Sequence, residues 1–173
     1  MKISRNTVFW GLGITATVIT IGVVIRHHRK KIKSAVKDVA DKVHNWLKPV
    51  SGKITSKFGY RTDPKTGAPH AFHNGIDLAL AEGTKIKNPL DGYVQDVNFN
   101  PKGGNQVIIM HENGYSTGYS HLSQALVKKG DKVKQGDVIA LSGNTGKSTG
   151  PHLHFTLNDP SGAKVDPMKY IYV

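Results

Sequence analysis

Histidines and one aspartate recur at close spacing in the C-terminal part of the chain. His73 and Asp77 stand four positions apart in HNGID, and His152 and His154 stand two apart in PHLHF. Residues separated by an even number of positions leave the same face of an extended strand, so each pair can reach one point if its segment is extended. His121, in YSHLS, follows another strand-like run.

Imidazole and carboxylate groups define the metal chemistry that is open to this chain. It contains no cysteine, which excludes a disulfide scaffold and a zinc site built from thiolates. Two histidines and one aspartate suit a catalytic zinc site, in which three protein ligands leave a fourth position for water. Spacing alone leaves open which of the histidines would bind the metal.

The elements that must position these residues are predicted to be strands. From Val50 onward, short β-rich runs alternate with glycine turns, and the chain has 19 glycines and 8 prolines. This pattern predicts an all-β, mostly antiparallel domain over residues 50–173. His111 ends one run in IIMHENG, where a structural role is favoured. The runs are KITSKFGYR, GIDLAL, GYVQDVNF, NQVIIMHENGYSTGYSHL, KVKQGDVIALSG and HLHFTLN.

A different pattern precedes this domain. Thr7 to Ile25 form an uncharged run, TVFWGLGITATVITIGVVI, which as a helix would span roughly 28 Å and cross a bilayer core. A basic flank that begins at Arg26 follows this run, which favours a retained transmembrane anchor in residues 1–25 over a cleaved signal peptide.

Residues 26–49 are predicted to form a basic amphipathic helix or linker that ends at Pro49. We expect it to lie on the membrane or to pack on the domain, and a helical linker without a special function is the alternative. Its apolar stripe recurs at steps of three and four positions, at Ile32, Val36, Val39, Val43, Trp46 and Leu47.

The positive charge is concentrated in this N-terminal part. Of the 24 Lys and Arg and 12 Asp and Glu, residues 1–48 hold ten and two (net +8), which leaves fourteen and ten (net +4) for residues 49–173. A basic flank beside a membrane segment usually contacts phospholipid head groups. Nucleic-acid binding at this flank is a less favoured alternative, because no aromatic residues interleave with the charges.

Six longer stretches strengthen the enzymatic interpretation: FGYRTDPKTG, HNGIDLA, GTKIKNPLDGYV, GGNQVIIMHENGYSTGYSHLS, VKKGDKVKQGDVIALSGNTGKSTGPHLHF and KVDPMKYI. In this order, over nearly all of residues 50–172, they resemble the lysostaphin-type (LytM-like) metallopeptidases of family M23. The most specific part of the resemblance is GNTGKSTGPHLHF.

The resemblance implies a fold and a site. The fold would be a mostly antiparallel β domain with a narrow groove and a Zn²⁺ ion at its floor. His73, Asp77 and His154 would be the metal ligands, and His121 and His152 would be the catalytic histidines beside the metal.

The resemblance also implies an activity, the hydrolysis of peptide cross-links in bacterial peptidoglycan by a zinc endopeptidase. D-alanyl–diaminopimelate bonds and Gly-Gly bonds are both substrates in the family, and the former is slightly favoured here. The alternative is a non-catalytic M23-like adaptor that activates other wall hydrolases, although such domains have lost ligands and all five polar positions are present here.

The predicted location is a single-pass membrane protein whose peptidase domain faces the cell wall. The flanking charges oppose this orientation, because positively charged flanks usually stay in the cytoplasm and the excess follows the apolar run. A viral membrane, with the enzyme acting during wall penetration or lysis, is an alternative that would remove the conflict.

Overall fold

A computed structural model of the chain describes residues 28–32, 46–63 and 66–171. The chain divides into two compact units, Met1–Lys42 and Val43–Val173. In the first unit, residues 28–32 are helical and exposed.

Most of the predicted N-terminal elements cannot be compared with this structure. The predicted membrane segment, residues 7–25, and residues 33–45 of the predicted amphipathic helix lie outside the described residues. None of the helical segments in the described ranges has the length and hydrophobicity that a membrane span requires.

The second unit consists of short strands and one helical turn, which confirms the prediction of a mostly antiparallel β domain. Many of its strands are rich in β-branched and aromatic residues, which pack well on a pleated surface. The elements are β1 (Lys53–Ser56), β2 (Gly59–Arg61), β3 (Ala71–His73), β4 (Ile76–Ala79), β5 (Lys85–Lys87), β6 (Gly92–Asn100), β7 (Gly104–His111), β8 (Ser116–Ala125), β9 (Lys132–Val133), β10 (Val138–Ser142), β11 (His152–Asn158), β12 (Lys164–Val165) and α1 (Met168–Ile171).

Ten of these strands form one sheet in which every pair is antiparallel. Its main path runs β1-β4-β11-β8-β7-β6-β9, while β10 pairs with β5 and β8, and β12 pairs with β11. The strands β2 and β3 form a separate two-stranded sheet. The main path places β4, β11 and β8 side by side, although they are far apart in sequence.

Strand β11 shows how the sheet separates its core from its polar face. Leu153, Phe155 and Leu157 are fully buried, and the residues between them are half-buried. Because side chains alternate along a strand, His152 and His154 share the face opposite to the core. The prediction that these two histidines lie on one face of a strand is therefore confirmed.

The end of the predicted linker also packs on the β domain. Trp46 is buried and its ring lies edge-on to His111 and Tyr115, with centroids 5.1 and 5.8 Å away. The amide of Leu47 donates a hydrogen bond to the carbonyl of Pro89. Trp46 and Leu47, two members of the apolar stripe, thus belong to the same compact unit as the strands.

Candidate metal centre

Three strands bring the predicted metal ligands together. His73 ends β3, Asp77 lies in β4 and His154 lies in β11. Asp77 and His154 are directly opposite each other in the antiparallel pairing of β4 with β11.

The segment HNGID is not one extended strand. The chain leaves the two-stranded sheet at His73 and enters the large sheet at Ile76. His73 therefore reaches Asp77 across a break at Asn74 and Gly75, and not along a shared strand face. The spacing of four did point to a real neighbourhood, but through a different local structure.

Gly75 lets the break pass close to β11. A Cβ atom at this position would lie 2.3 Å from the carbonyl oxygen of Phe155 and 3.0 Å from Cε1 of His154. No side chain fits at the first of these distances, so a residue without a side chain is needed beside the predicted ligand His154.

The inner atoms of the three predicted ligand side chains converge on one point. Nε2 of His73 lies 3.2 Å from Oδ1 of Asp77 and 3.1 Å from Nδ1 of His154, and the last two atoms are 2.8 Å apart. Four ligands arranged tetrahedrally at zinc-ligand distances are separated by about 3.3 Å. The triangle is thus close to the size that a zinc ion requires.

The outer nitrogens determine which atoms can bind a cation. Nδ1 of His73 donates to the carbonyl of Lys57 at 2.8 Å, and Nε2 of His154 donates to Oδ1 of Asn74 at 3.1 Å. In the neutral imidazoles, both inner nitrogens then present lone pairs beside the Asp77 carboxylate. Three acceptors facing one another are favourable only around a cation, so the residues present fit a metal ion.

Asp77 is the ionised member of this cluster. Burial alone raises the pKa of its carboxyl. When the two imidazoles are protonated in the metal-free site, their hydrogen bonds and positive charge, first from His154 and then from His73, hold that pKa well below its usual range. Arg61 adds an ion pair with a nitrogen–oxygen distance of 3.8 Å to Oδ2, the oxygen that is not used in the triangle.

His121 lies beside the triangle in an uncommon backbone conformation. Its φ angle is 64°, which non-glycine residues rarely adopt. Its amide donates to the carbonyl of Gly103 at 2.7 Å, and its Nδ1 donates to the carbonyl of Thr145 at 2.8 Å. These two bonds fix the ring and leave the lone pair on Nε2.

His152 is held in a similar way. Its Nδ1 donates to the carbonyl of Gly150 at 2.8 Å and lies 3.0 Å from the hydroxyl of Ser148. The rings of His121 and His152 are neighbours, with centroids 4.6 Å apart. Burial and the charges of His152 and His154 lower the pKa of His121, although its hydrogen bond to Thr145 opposes the shift.

All five predicted site residues line one groove of about 460 Å³. Its described lining is mostly polar and also includes Phe72, Asn100, Gln106, Ser120, Thr156 and Asn158. The arrangement can therefore hold a metal ion next to two imidazoles in an open cleft, which is a geometry suited to proton transfer beside a metal.

Sequence reasoning missed the residues that hold the site in place. Asn74 and the carbonyl of Lys57 orient the two predicted ligand histidines, and Arg61 contacts Asp77. Asn74 adjoins His73 in sequence, which was a usable signal. Nothing in the sequence indicated the roles of Lys57 and Arg61.

Comparison with known proteins gives a consistent result. The model of peptidase family M23 matches residues 71–167, more than half of the chain. The peptidoglycan DD-endopeptidase ShyA of Vibrio cholerae serotype O1 is 48% identical over 111 residues, which are 63% of this chain and 26% of that protein.

Solved structures show the same similarity. A zinc-containing peptidase from Vibrio cholerae is 41% identical, with a TM-score of 0.64 over 72% of this chain and 38% of that one. The catalytic domain of the antimicrobial peptidase lysostaphin from Staphylococcus simulans is 32% identical, with a TM-score of 0.58 over 78% and 98%. The chain spans about a quarter of the length of relatives such as ShyA.

Proposed function

The chain belongs to peptidase family M23, and from this membership we propose that it is a zinc-dependent endopeptidase that hydrolyses peptide cross-links of bacterial peptidoglycan. The observation that supports this best is the convergence of three metal-binding atoms, on His73, Asp77 and His154, beside two oriented imidazoles in an open groove.

His73, Asp77 and His154 would hold the zinc ion. Zinc supplies Lewis-acid character, which polarises a peptide carbonyl and acidifies water. The hydrogen bonds from His73 to Lys57 and from His154 to Asn74 keep both imidazoles in the tautomer that binds metal.

His121 and His152 perform the proton transfers at their Nε2 atoms. Burial lowers the pKa of His121 and so favours its neutral form, which is the form that can accept a proton from the attacking water. Return of the proton to the leaving amine completes the hydrolysis. The carbonyls of Thr145 and Gly150 prevent either ring from turning during these transfers.

The D-alanyl–diaminopimelate cross-link is the favoured substrate. ShyA of Vibrio cholerae, which resembles this chain, is a peptidoglycan DD-endopeptidase. The term DD-endopeptidase denotes cleavage of a bond between two D centres. Glycine has no stereocentre, so this bond cannot be a Gly-Gly bond.

We also place the enzyme at a membrane, through an anchor in residues 7–25, with the peptidase domain facing the cell wall. The uncharged run and the basic residues that follow it support the anchor. The basic flank would contact anionic lipid head groups. The membrane of a virus that penetrates or lyses the wall is the alternative site.

The test uses the full chain in detergent with zinc. It is incubated with purified peptidoglycan that contains either D-alanyl–diaminopimelate or Gly-Gly cross-links, and released fragments are identified by mass spectrometry. We expect cleavage of the diaminopimelate type only, loss of cleavage with chelator, and loss in His154→Ala.

His70→Asn is the matched control, because His70 is exposed and does not line the groove. Its φ of 58° is one that asparagine tolerates. This variant should cleave like the wild type. If the folded, zinc-loaded wild type released no fragments from either wall, the enzyme proposal would fail and the non-catalytic adaptor would replace it.

A further inference from the structure

Two lysines stand on one wall of the groove, on neighbouring loops. Lys102 lies in the turn between β6 and β7, and Lys147 lies in the loop between β10 and β11. Both are exposed and both line the groove. The amide of Lys147 donates to the carbonyl of Lys102 at 3.0 Å, which joins the two loops directly.

The same two loops hold His121. The carbonyl of Gly103, next to Lys102, accepts the amide of His121, and the carbonyl of Thr145, two residues before Lys147, accepts its Nδ1. The backbones that present the lysines are therefore fixed relative to the imidazole.

Close glycine packing makes this connection rigid. A Cβ atom at Gly146 would lie 2.3 Å from the amide nitrogen of Gly104, and one at Gly104 would lie 2.2 Å from the hydroxyl oxygen of Thr145. At Gly104 and Gly146 the two loops thus meet through backbone atoms and the Thr145 hydroxyl, with no space for a further side chain. The lysine side chains can still change rotamer, but these contacts hold the backbone of both lysines in place.

The groove has an excess of positive charge. Its described lining includes four cationic residues, Arg61, Lys102, Lys147 and Lys164, and two acidic ones, Asp63 and Asp77. Asp77 already contacts the ligand histidines and Arg61. Among the described residues, no carboxylate is ion-paired with Lys102 or Lys147.

The two candidate substrates differ in charge at the scissile bond. When a D-alanyl–diaminopimelate bond is cut, the leaving amine is attached to the same carbon as a carboxylate. A Gly-Gly bond inside a bridge has no carboxylate there. Since His121 takes part in the proton transfer that ends at the leaving amine, that carboxylate would come close to the loops that hold His121.

On the basis of the proposed function, we propose that Lys102 and Lys147 form a carboxylate-recognition site that selects cross-links with a free carboxylate beside the scissile nitrogen. The two ammonium groups attract this carboxylate through a charge-assisted contact. They are specificity-determining residues and take no part in the proton transfers. Diaminopimelate whose carboxylate is amidated, and glycine bridges, are discriminated against.

The experiment compares two cross-linked muropeptide dimers that differ only at this group, one with the free carboxylate and one with the carboxamide. The zinc-loaded full chain and its Lys102→Gln/Lys147→Gln variant are assayed for kcat and KM on both. We expect the wild type to prefer the free acid by roughly tenfold in kcat/KM, mostly through KM, as two partly solvated charge contacts allow. The double variant should reduce this ratio toward one.

Two further variants test whether the preference for the carboxylate depends on Lys102 and Lys147 or only on the total positive charge of the protein. Lys85→Gln/Lys87→Gln removes two exposed lysines of β5 that do not line the groove, and it should keep the wild-type preference. Lys102→Arg/Lys147→Arg keeps both charges and should retain most of the preference. All variants are compared by their melting temperatures.

The outcomes distinguish this inference from the proposed function. Equal cleavage of both dimers by the wild type, or an equal loss on both dimers in the glutamine variant, would overturn the recognition site and leave the enzyme intact. Cleavage of neither dimer by the folded, zinc-loaded wild type would overturn both proposals.

Discussion

Four histidines of this molecule use Nδ1 in the same way and still have different surroundings at Nε2. Nδ1 donates to a backbone carbonyl in His73, His111, His121 and His152. What differs is the surroundings of Nε2. In His111 it accepts from the buried hydroxyl of Thr117, whereas the other three histidines line the groove. The surroundings of Nε2 therefore distinguish the buried His111 from the three histidines proposed to bind metal or transfer protons.

The buried position of His111 leads to a prediction about acid stability. Burial lowers the pKa of His111 to about 4, although its hydrogen bonds to the carbonyls of Asp91 and Leu90 oppose the shift. The unfolded chain has the ordinary pKa of about 6.5 and so binds more protons between these values. The contribution of His111 to the free energy of unfolding is therefore fully present above about pH 6.5. It decreases by about 3 kcal/mol as the pH falls to about 4.

The measurement is the free energy of unfolding from pH 4 to 7, by denaturant titration in the presence of chelator. His111→Gln is the comparison, because glutamine can donate to a carbonyl and accept from Thr117 without titrating in this range. Its stability should vary less with pH than that of the wild type. Parallel curves for the two proteins would show that His111 is not the group responsible.

At the scale of elements, the site depends on how β3, β4 and β11 meet. Asp77 and His154 are opposite each other because β4 and β11 pair in register, and His73 arrives from the end of the smaller sheet. The close approach at Gly75 makes this meeting possible. A small change in backbone packing there would move His154, one of the three proposed metal ligands, without changing its side chain.

Gly75→Ala tests this dependence. The added methyl group would clash with the carbonyl oxygen of Phe155, so the break and β11 must move apart. We expect a loss of about 1–3 kcal/mol in stability, as for other overpacked sites, and weaker zinc binding. Thermal unfolding and a zinc titration with a competing chelator measure the two effects.

Gly150→Ala provides the control for this change. A Cβ atom at Gly150 has nothing within 4 Å, so stability and zinc affinity should stay close to those of the wild type. An equal effect of both substitutions on zinc affinity would mean that close packing at Gly75 does not control the site.

At the scale of the whole molecule, a mildly basic β domain follows a strongly basic segment and an uncharged run. The run and the basic flank favour an anchor, but the flank opposes an external domain by the usual charge rule. The proposed substrate lies outside the cytoplasmic membrane, so the function requires the opposite orientation. The flanking charges and the proposed function therefore predict opposite sides of the membrane for the peptidase domain.

We predict that the peptidase domain is accessible from outside. The full chain with a C-terminal tag is expressed in bacteria whose outer surface has been made permeable to protease, and loss of the tag is followed by immunoblotting. A cytoplasmic protein should remain protected in the same cells, and detergent should expose both. Protection of the tag until detergent is added would place the domain in the cytoplasm and contradict the proposed location.

The sequence by itself determined the class of the fold and the chemical type of the site. Short apolar runs bounded by glycines predicted antiparallel strands, because side-chain alternation and turn formation are local properties. The same alternation placed His152 and His154 on one face. The absence of cysteine restricted metal ligands to histidine and carboxylate, which is a matter of composition alone.

Only the tertiary structure decided how these residues act together. The pairing of β4 with β11 joins Asp77 to a histidine 77 positions away. The tautomers of the two proposed ligand histidines depend on Lys57 and Asn74. The presentation of Lys102 beside Lys147 likewise depends on a contact between distant loops. Such contacts arise from strand register and backbone hydrogen bonds between remote segments, which no local pattern in the sequence specifies.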